Sequence, residues 1–114
     1  MFHMNQNLKV VLAVEPVDLR KSFSGLYAMA RSGLNEVPEN GALFVFSNRS
    51  RTRVKVFCFD GTGCWVSTKR LEQGTFSWPK GLDQSKLSIQ PEALGLLLDG
   101  VDLRGPKLRP WYQR

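Results

Sequence analysis

The chain contains few of the residues that hold metals or carry out acid–base catalysis. It has two cysteines, Cys58 and Cys64, and one histidine, His3. A tetrahedral zinc site needs four ligands, and a catalytic histidine needs a positioned partner. We therefore expect no metal, no cofactor, and two reduced thiols that pack as small hydrophobic residues.

Long apolar stretches and enzyme motifs are also missing. No run approaches the roughly 20 apolar residues of a membrane-spanning helix, and residues 1–7 carry no secretory signal. A P-loop, a G-x-S-x-G motif and an H-E-x-x-H motif are absent. A metal-dependent nuclease needs converging acids; Asp60, Asp99 and Asp102 are the candidates, and a turn explains Asp60 better. We expect a cytoplasmic protein that is not an enzyme and has no membrane partner.

Positive charge is what the sequence does contain. It has 16 Lys and Arg against 10 Asp and Glu, which gives a net charge of +6 and a pI of about 9.8. Such a balance favours a nucleic-acid partner through phosphate contacts. Because solubility is an alternative explanation, the distribution of the cations matters more than their total.

The length and the hydrophobic pattern predict a single α+β domain over residues 1–114, with extended or flexible tails at 1–7 and 104–114. A mostly antiparallel sheet of about five strands packs against one long helix, with a short C-terminal helix at an edge or end of the sheet. The extended segments are 8–14, 42–47, 53–60, 64–70, 75–78 and 86–89. The long helix covers 18–35 with Asp18 as its N-cap, and the short helix covers 91–98.

Two patterns predict which side chains are buried. An apolar stripe follows the long helix at helical spacing, and its members are Leu19, Phe23, Leu26, Tyr27, Ala30 and Leu34. In the hairpin around Asp60-Gly61-Thr62-Gly63, pairing Asp60 with Cys64 gives a core face of Val54, Val56, Cys58, Cys64, Val66 and Thr68. The other face then carries Arg53, Lys55, Phe57, Phe59, Trp65, Ser67 and Lys69. A slip of one residue would exchange the two faces of the third strand.

Basic residues concentrate at one end of this hairpin system. Arg49, Arg51, Arg53 and Lys55 are spaced two apart, which in an extended chain directs side chains to one side, and Lys69 and Arg70 follow on the next strand. Further candidates are Arg20 and Lys21, at the start of the long helix, where phosphate is favoured. Together with aromatic side chains that could stack on bases, these eight cations predict a DNA-binding patch. The alternative is that the aromatics are core and the edge cations prevent aggregation.

The last residues add two large aromatic side chains, Trp111 and Tyr112, in an extended basic segment. Large aromatics gain free energy by burial. We expect them to dock on a partner or on the chain itself.

Several blocks of the chain, in order, resemble a known family. They are L-A-V-E-P-V-D-L-R-K-S-F-S-G-L at 12–26, G-A-L-F-V-F-S-N-R-S-R-T-R-V-K-V-F-C-F-D-G-T-G at 41–63, K-R-L-E-Q-G-T-F-S-W-P at 69–79, and L-L-L-D-G-V-D-L at 96–103. The chain resembles the small TnpB-type accessory protein that is encoded by the second open reading frame of IS-66 type insertion sequences.

This resemblance implies a bacterial mobile-element protein that is encoded beside a separate, larger transposase and assists transposition. It supplies no settled catalytic residues. We therefore expect a non-catalytic accessory protein of DNA transposition that contacts DNA, the transposase, or both through its basic hairpin surface. The alternative is a protein-interaction module that docks the transposase by its aromatic sheet face and its C-terminal tail, without direct DNA contact.

Overall fold

The computed structural model describes residues 8–80 and 83–100, and five strands within them form one mixed sheet. The strands are β1 (Val10–Ala13), β2 (Leu43–Ser47), β3 (Arg53–Phe59), β4 (Cys64–Arg70) and β5 (Lys86–Ile89). Their order across the sheet is β4-β3-β2-β1-β5. The α+β class and the number of strands are confirmed, whereas both predicted tails, 1–7 and 104–114, lie outside the described residues.

One pair of strands departs from the antiparallel prediction. β1 and β2 are parallel, and the other three neighbouring pairs are antiparallel. Parallel neighbours need a crossover connection, and here it carries α1 (Phe23–Ala28), a π-helical turn (Met29–Gly33) and a short 3₁₀ helix (Pro38–Asn40). The crossover therefore packs α1 against one face of the sheet.

The prediction of one long helix over 18–35 is wrong, because the helix is short and begins five residues later. The Asp18 carboxylate accepts hydrogen bonds from the backbone N–H and the guanidinium of Arg20, so it closes a local turn and does not cap a helix. The helix begins at Phe23 and ends with the π turn at Gly33. No helix within 8–80 and 83–100 is long and apolar enough to cross a membrane.

The sheet is covered on both faces, as its continuously apolar first strand indicates. On one face, Leu26 and Ala30 of the crossover pack with Val11, Phe44 and Phe57. The second face packs against α2 (Pro91–Leu98), through the buried residues Ala93, Leu94 and Leu97. The short helix therefore packs on this face together with Phe76 and Trp78, and the prediction that it lies at an edge or end is wrong.

The predicted strand at 75–78 is instead a buried segment that pairs with no strand. Phe76 and Trp78 belong to the α2-side core. The Trp78 indole Nε1 donates a hydrogen bond to the Ala13 carbonyl oxygen at 3.0 Å, and the Phe76 N–H donates to the Arg51 carbonyl oxygen at 2.7 Å. These isolated bonds hold the segment across the ends of β1 and β3 without building a ladder.

The register of the β3–β4 hairpin differs by one residue from the predicted one. Phe59 pairs with Cys64, because Asp60 and Gly63 close the four-residue loop by a backbone hydrogen bond of 2.9 Å. The faces of β4 are therefore exchanged, so that Trp65, Ser67 and Lys69 lie on the α2 side and Cys64, Val66, Thr68 and Arg70 on the α1 side. Cys58 and Cys64 are free thiols that belong to opposite faces.

Candidate nucleic-acid interface

Two arginines face each other across the last pair of strands. Arg53 on β3 lies directly opposite Arg70 on β4. The neighbouring pair, Thr52 and Leu71, carries a backbone hydrogen bond of 3.0 Å, so the arginines occupy a non-hydrogen-bonded pair, in which side chains approach most closely. Like charges in this position are destabilising. The Arg70 guanidinium contacts Glu72 at 3.3 Å, and both of these side chains are largely exposed.

Lys55 joins this pair to the loop that precedes α1. It lies on the same side of β3 as Arg53, and its Nζ donates a hydrogen bond to the Lys21 carbonyl oxygen at 2.9 Å. Gly25 lets the Lys21 stem pack on the first turn of the helix, because a Cβ there would lie 2.9 Å from the Lys21 Cβ. The exposed Lys21 is thus held beside the β3 cations, although more than 30 residues of sequence separate it from them.

A cleft of about 290 Å³ separates the loop before α1 from the β2–β3 loop. It is lined by Pro16, Val17, Asp18, Leu19, Asn48 and Arg49. The exposed Arg20 guanidinium forms hydrogen bonds of 2.8–3.1 Å with Asp18, and this pairing lowers the pKa of the Asp18 carboxyl to about 2. Six cations therefore surround one region, which we call the basic surface: Arg20, Lys21, Arg49, Arg53, Lys55 and Arg70.

Asn48 fixes the shape of the β2–β3 loop that carries Arg49. Its Oδ1 accepts the backbone N–H groups of Thr52 and Arg53, both at 3.0 Å, and its Nδ2 donates to the hydroxyl oxygens of Ser50 and Thr52. An asparagine side chain that bonds nearby backbone in this way replaces a backbone turn. The backbone of the loop that carries Arg49 is therefore held in a defined shape.

The structure separates two predicted residues from the other six. Arg51 turns inward over the Trp78 ring, and its Nη2 donates to the Val14 carbonyl oxygen at 3.2 Å. Lys69 lies on the α2 side, where its Nζ donates to the Leu98 carbonyl oxygen at 2.6 Å and so caps the end of α2. The predicted docking residues Trp111 and Tyr112 lie outside the described residues.

The aromatic side chains are arranged differently from the prediction. Phe57 is fully buried under α1, and Phe59 is half-buried. Phe23, predicted to belong to the core stripe, is 52% exposed. The polar neighbours Lys21, Ser22 and Ser24 are the sequence signal that could have indicated this exposure.

Trp65 is the other clearly exposed aromatic within the described residues, at 44%. Its indole Nε1 donates to the Asp60 carboxylate at 2.7 Å. This bond, with the N–H groups of Thr62 and Gly63, lowers the pKa of Asp60 to about 2. No group of three His, Cys, Asp or Glu side chains that could hold a metal ion occurs in the described part of the chain.

Fold and surface together define a small α+β protein with a two-sided core and one clustered basic surface. The family model described as IS66 Orf2 like protein matches residues 8–108. The chain therefore belongs to this family of insertion-sequence accessory proteins, which confirms the resemblance drawn from its sequence blocks.

Two relatives come from Sinorhizobium fredii (strain NBRC 101917 / NGR234). The protein y4hO, described as uncharacterized, is 37% identical over 107 residues, which cover 94% of this chain and 92% of y4hO. The protein y4jC, also described as uncharacterized, is 36% identical over 106 residues, which cover 93% of this chain and 90% of y4jC. No solved structure gives a significant match.

Proposed function

We propose that this protein is a cytoplasmic, non-catalytic accessory factor of transposition that contacts DNA through its basic surface and acts beside the transposase of the same element. The family supports the role in transposition. The observation that carries the DNA contact is the direct opposition of Arg53 and Arg70. Two like charges on directly opposite strand positions are unfavourable in the free protein, and phosphate oxygens would relieve that repulsion.

The other members of the basic surface extend this contact in one direction. Lys55 lies next to the arginine pair and contacts Lys21 in the loop before α1. Arg49, in the β2–β3 loop, lines a cleft with residues of the same loop before α1. The carboxylates of this surface, Asp18 and Glu72, each pair with an arginine. A run of cations in which acids are outnumbered fits a nucleic-acid backbone, because phosphate charges repeat along the strand.

The test measures DNA affinity by fluorescence anisotropy across a salt series for the wild type, Arg53→Ala, Arg70→Ala and Lys80→Ala. Lys80 is an exposed cation outside the basic surface, beside a pocket that Phe76 and Trp78 also line, and it serves as the charge-matched control. We expect each arginine variant to make the slope of log K against log salt shallower by about one, since each lost phosphate contact releases one fewer counterion. The Lys80 variant should keep the wild-type slope. Equal slopes in all four proteins would contradict the proposal.

A second candidate function rests on the exposed Trp65, which the Asp60 carboxylate holds in one orientation. An oriented, half-exposed indole on the side of the sheet away from the basic surface is typical of a protein-docking residue. In this alternative the protein docks the transposase and makes no contact with DNA. Capture of the transposase that is lost in Trp65→Ala, without measurable DNA binding by the wild type at low salt, would favour the alternative.

A further inference from the structure

An exposed phenylalanine lies within the basic surface. Phe23 is the first residue of α1 and is 52% exposed. One turn later, Tyr27 packs edge-on against Phe57 with ring centroids 6.4 Å apart, and Leu26 is fully buried. Phe23 does not join this core. The helix therefore begins by presenting an aromatic ring to solvent, although the next turn of the same stripe is packed.

The contacts of α1 place the start of the helix, with Phe23, beside the cations. Tyr27 lies over Phe57, whereas Lys21, before the helix, is bonded to Lys55. The helix and β3 therefore run in the same direction. Phe23, one turn before Tyr27, lies towards the Lys55 end of β3. The Arg53–Arg70 pair lies one step further along β3, two residues before Lys55.

A ring in this position adds little to the binding of intact duplex DNA through its backbone. The bases of a duplex are stacked and paired, so a protein that touches only the backbone needs cations and no exposed phenylalanine. Unpaired bases expose their faces, and aromatic side chains beside a basic groove are the usual means of binding them without regard to sequence.

We infer that the basic surface binds single-stranded DNA, with one unpaired base stacked on Phe23 and the adjoining phosphates held by Lys21, Arg53 and Arg70. This inference rests on the proposed function, since it requires that the basic surface contact DNA at all. It adds the class of nucleic acid and the residue that selects it: the cations provide affinity for any strand, and Phe23 provides the preference for unpaired bases.

The experiment compares binding of a labelled oligothymidylate and of a blunt duplex of equal length to the full chain at low salt. The variants are Phe23→Ala, Phe23→Trp and, as the matched control, Trp65→Ala, which removes an aromatic of similar exposure on the other face. Phe23→Ala should weaken binding of the single strand about tenfold and leave the duplex within about twofold. Phe23→Trp should restore single-strand affinity, because a larger ring also stacks, and Trp65→Ala should change neither affinity.

The outcomes separate the inference from the proposed function. If the wild type binds neither DNA, the proposed function fails. If the wild type binds both DNAs with a salt-dependent affinity but Phe23→Ala weakens both equally or neither, only the inference is overturned. A wild-type preference for the duplex also overturns it. Because the Phe23 ring is half-exposed, urea unfolding should show Phe23→Ala to be folded, and the loss of single-strand affinity then reports on the contact itself.

Discussion

The Arg51 guanidinium lies over the Trp78 ring, with its central carbon 5.0 Å from the ring centroid. Its Nη2 also donates to the Val14 carbonyl oxygen at 3.2 Å. One side chain thus joins the β2–β3 loop, the end of β1 and the buried segment that contains Trp78. Burial lowers the pKa of Arg51, as expected for a cation that the fold has drawn away from solvent.

Arg51→Ala should therefore act on stability. Loss of the cation–π contact and of a charged hydrogen bond should lower the free energy of unfolding by about 2 kcal/mol. Arg49→Ala is the control, because Arg49 is an exposed cation of the same loop and its removal should change stability by less than about 0.5 kcal/mol. Urea denaturation of the two variants measures both effects. Equal stabilities would show that Arg51 does not hold these segments together.

Arg51 also illustrates why part of the site could not be predicted. Spacing two apart directs side chains to one side only while the chain stays extended, and Arg51 has a φ of +60° in the left-handed region. The alternation therefore breaks at this residue. In contrast, Arg53 and Arg70 lie within regular strands, and the sequence predicts both in one patch. The predicted register, however, places Lys69 and not Arg70 on the face of Arg53.

In the fold, too, the elements that local sequence patterns determine were predicted correctly, and those that depend on distant contacts were not. The bounds of β4 and β5 agree with the predicted segments, because turns flank both and the patterns of both are short and regular. The start of α1 was missed because the Asp18 carboxylate can either cap a helix or close a turn with Arg20. The parallel pairing of β1 with β2 depends on contacts across the whole crossover, and no local pattern specifies strand direction.

Asn48→Ala should loosen the β2–β3 loop. The substitution leaves the N–H groups of Thr52 and Arg53 without their acceptor, and we expect a loss of about 1–2 kcal/mol in unfolding free energy. Hydrogen exchange should also become faster at these two amides. Asn48→Asp keeps the acceptor oxygen and should protect both amides nearly as well as the wild type. Unchanged exchange in Asn48→Ala would contradict this role.

The bond between Trp65 and Asp60 should respond to acid. The pKa of Asp60 is lowered to about 2 in the folded protein from an ordinary value of 3.8. A carboxyl whose pKa is depressed by folding stabilises the fold above its unfolded pKa, and this stabilisation is lost as the pH falls through the folded value. The indole N–H resonance of Trp65 should therefore shift with a midpoint near pH 2.

Asp60→Asn provides the matched control for this titration. The amide keeps an oxygen that can accept from the indole but does not ionise in this range. We expect the Trp65 resonance of this variant to stay constant between about pH 4 and pH 2. A midpoint near 3.8 in the wild type would mean that the indole does not bond the carboxylate in solution.

Glu36 ties the crossover to β5 and to the residue that precedes β1. Its carboxylate accepts hydrogen bonds from Lys9 at 3.1 Å and from Lys86 at 2.5 Å, and its side chain is only 13% exposed. Burial raises the pKa of Glu36, but the bonds from the two lysines outweigh burial, so its pKa lies below the ordinary 4.5. Stability from this group is present above pH 4.5 and is lost as the pH falls through the lower, folded value.

Glu36→Gln should lower the free energy of unfolding at neutral pH by about 1–3 kcal/mol, because two charged hydrogen bonds are weakened in a poorly solvated place. Glu72→Gln removes the acid of the exposed pair with Arg70, and its effect should stay below about 1 kcal/mol. Urea denaturation measured at neutral pH and again below pH 4.5 should show the Glu36 variant and the wild type converging in acid. A difference that persists unchanged at low pH would show that Glu36 stabilises the fold by packing and not by its charge.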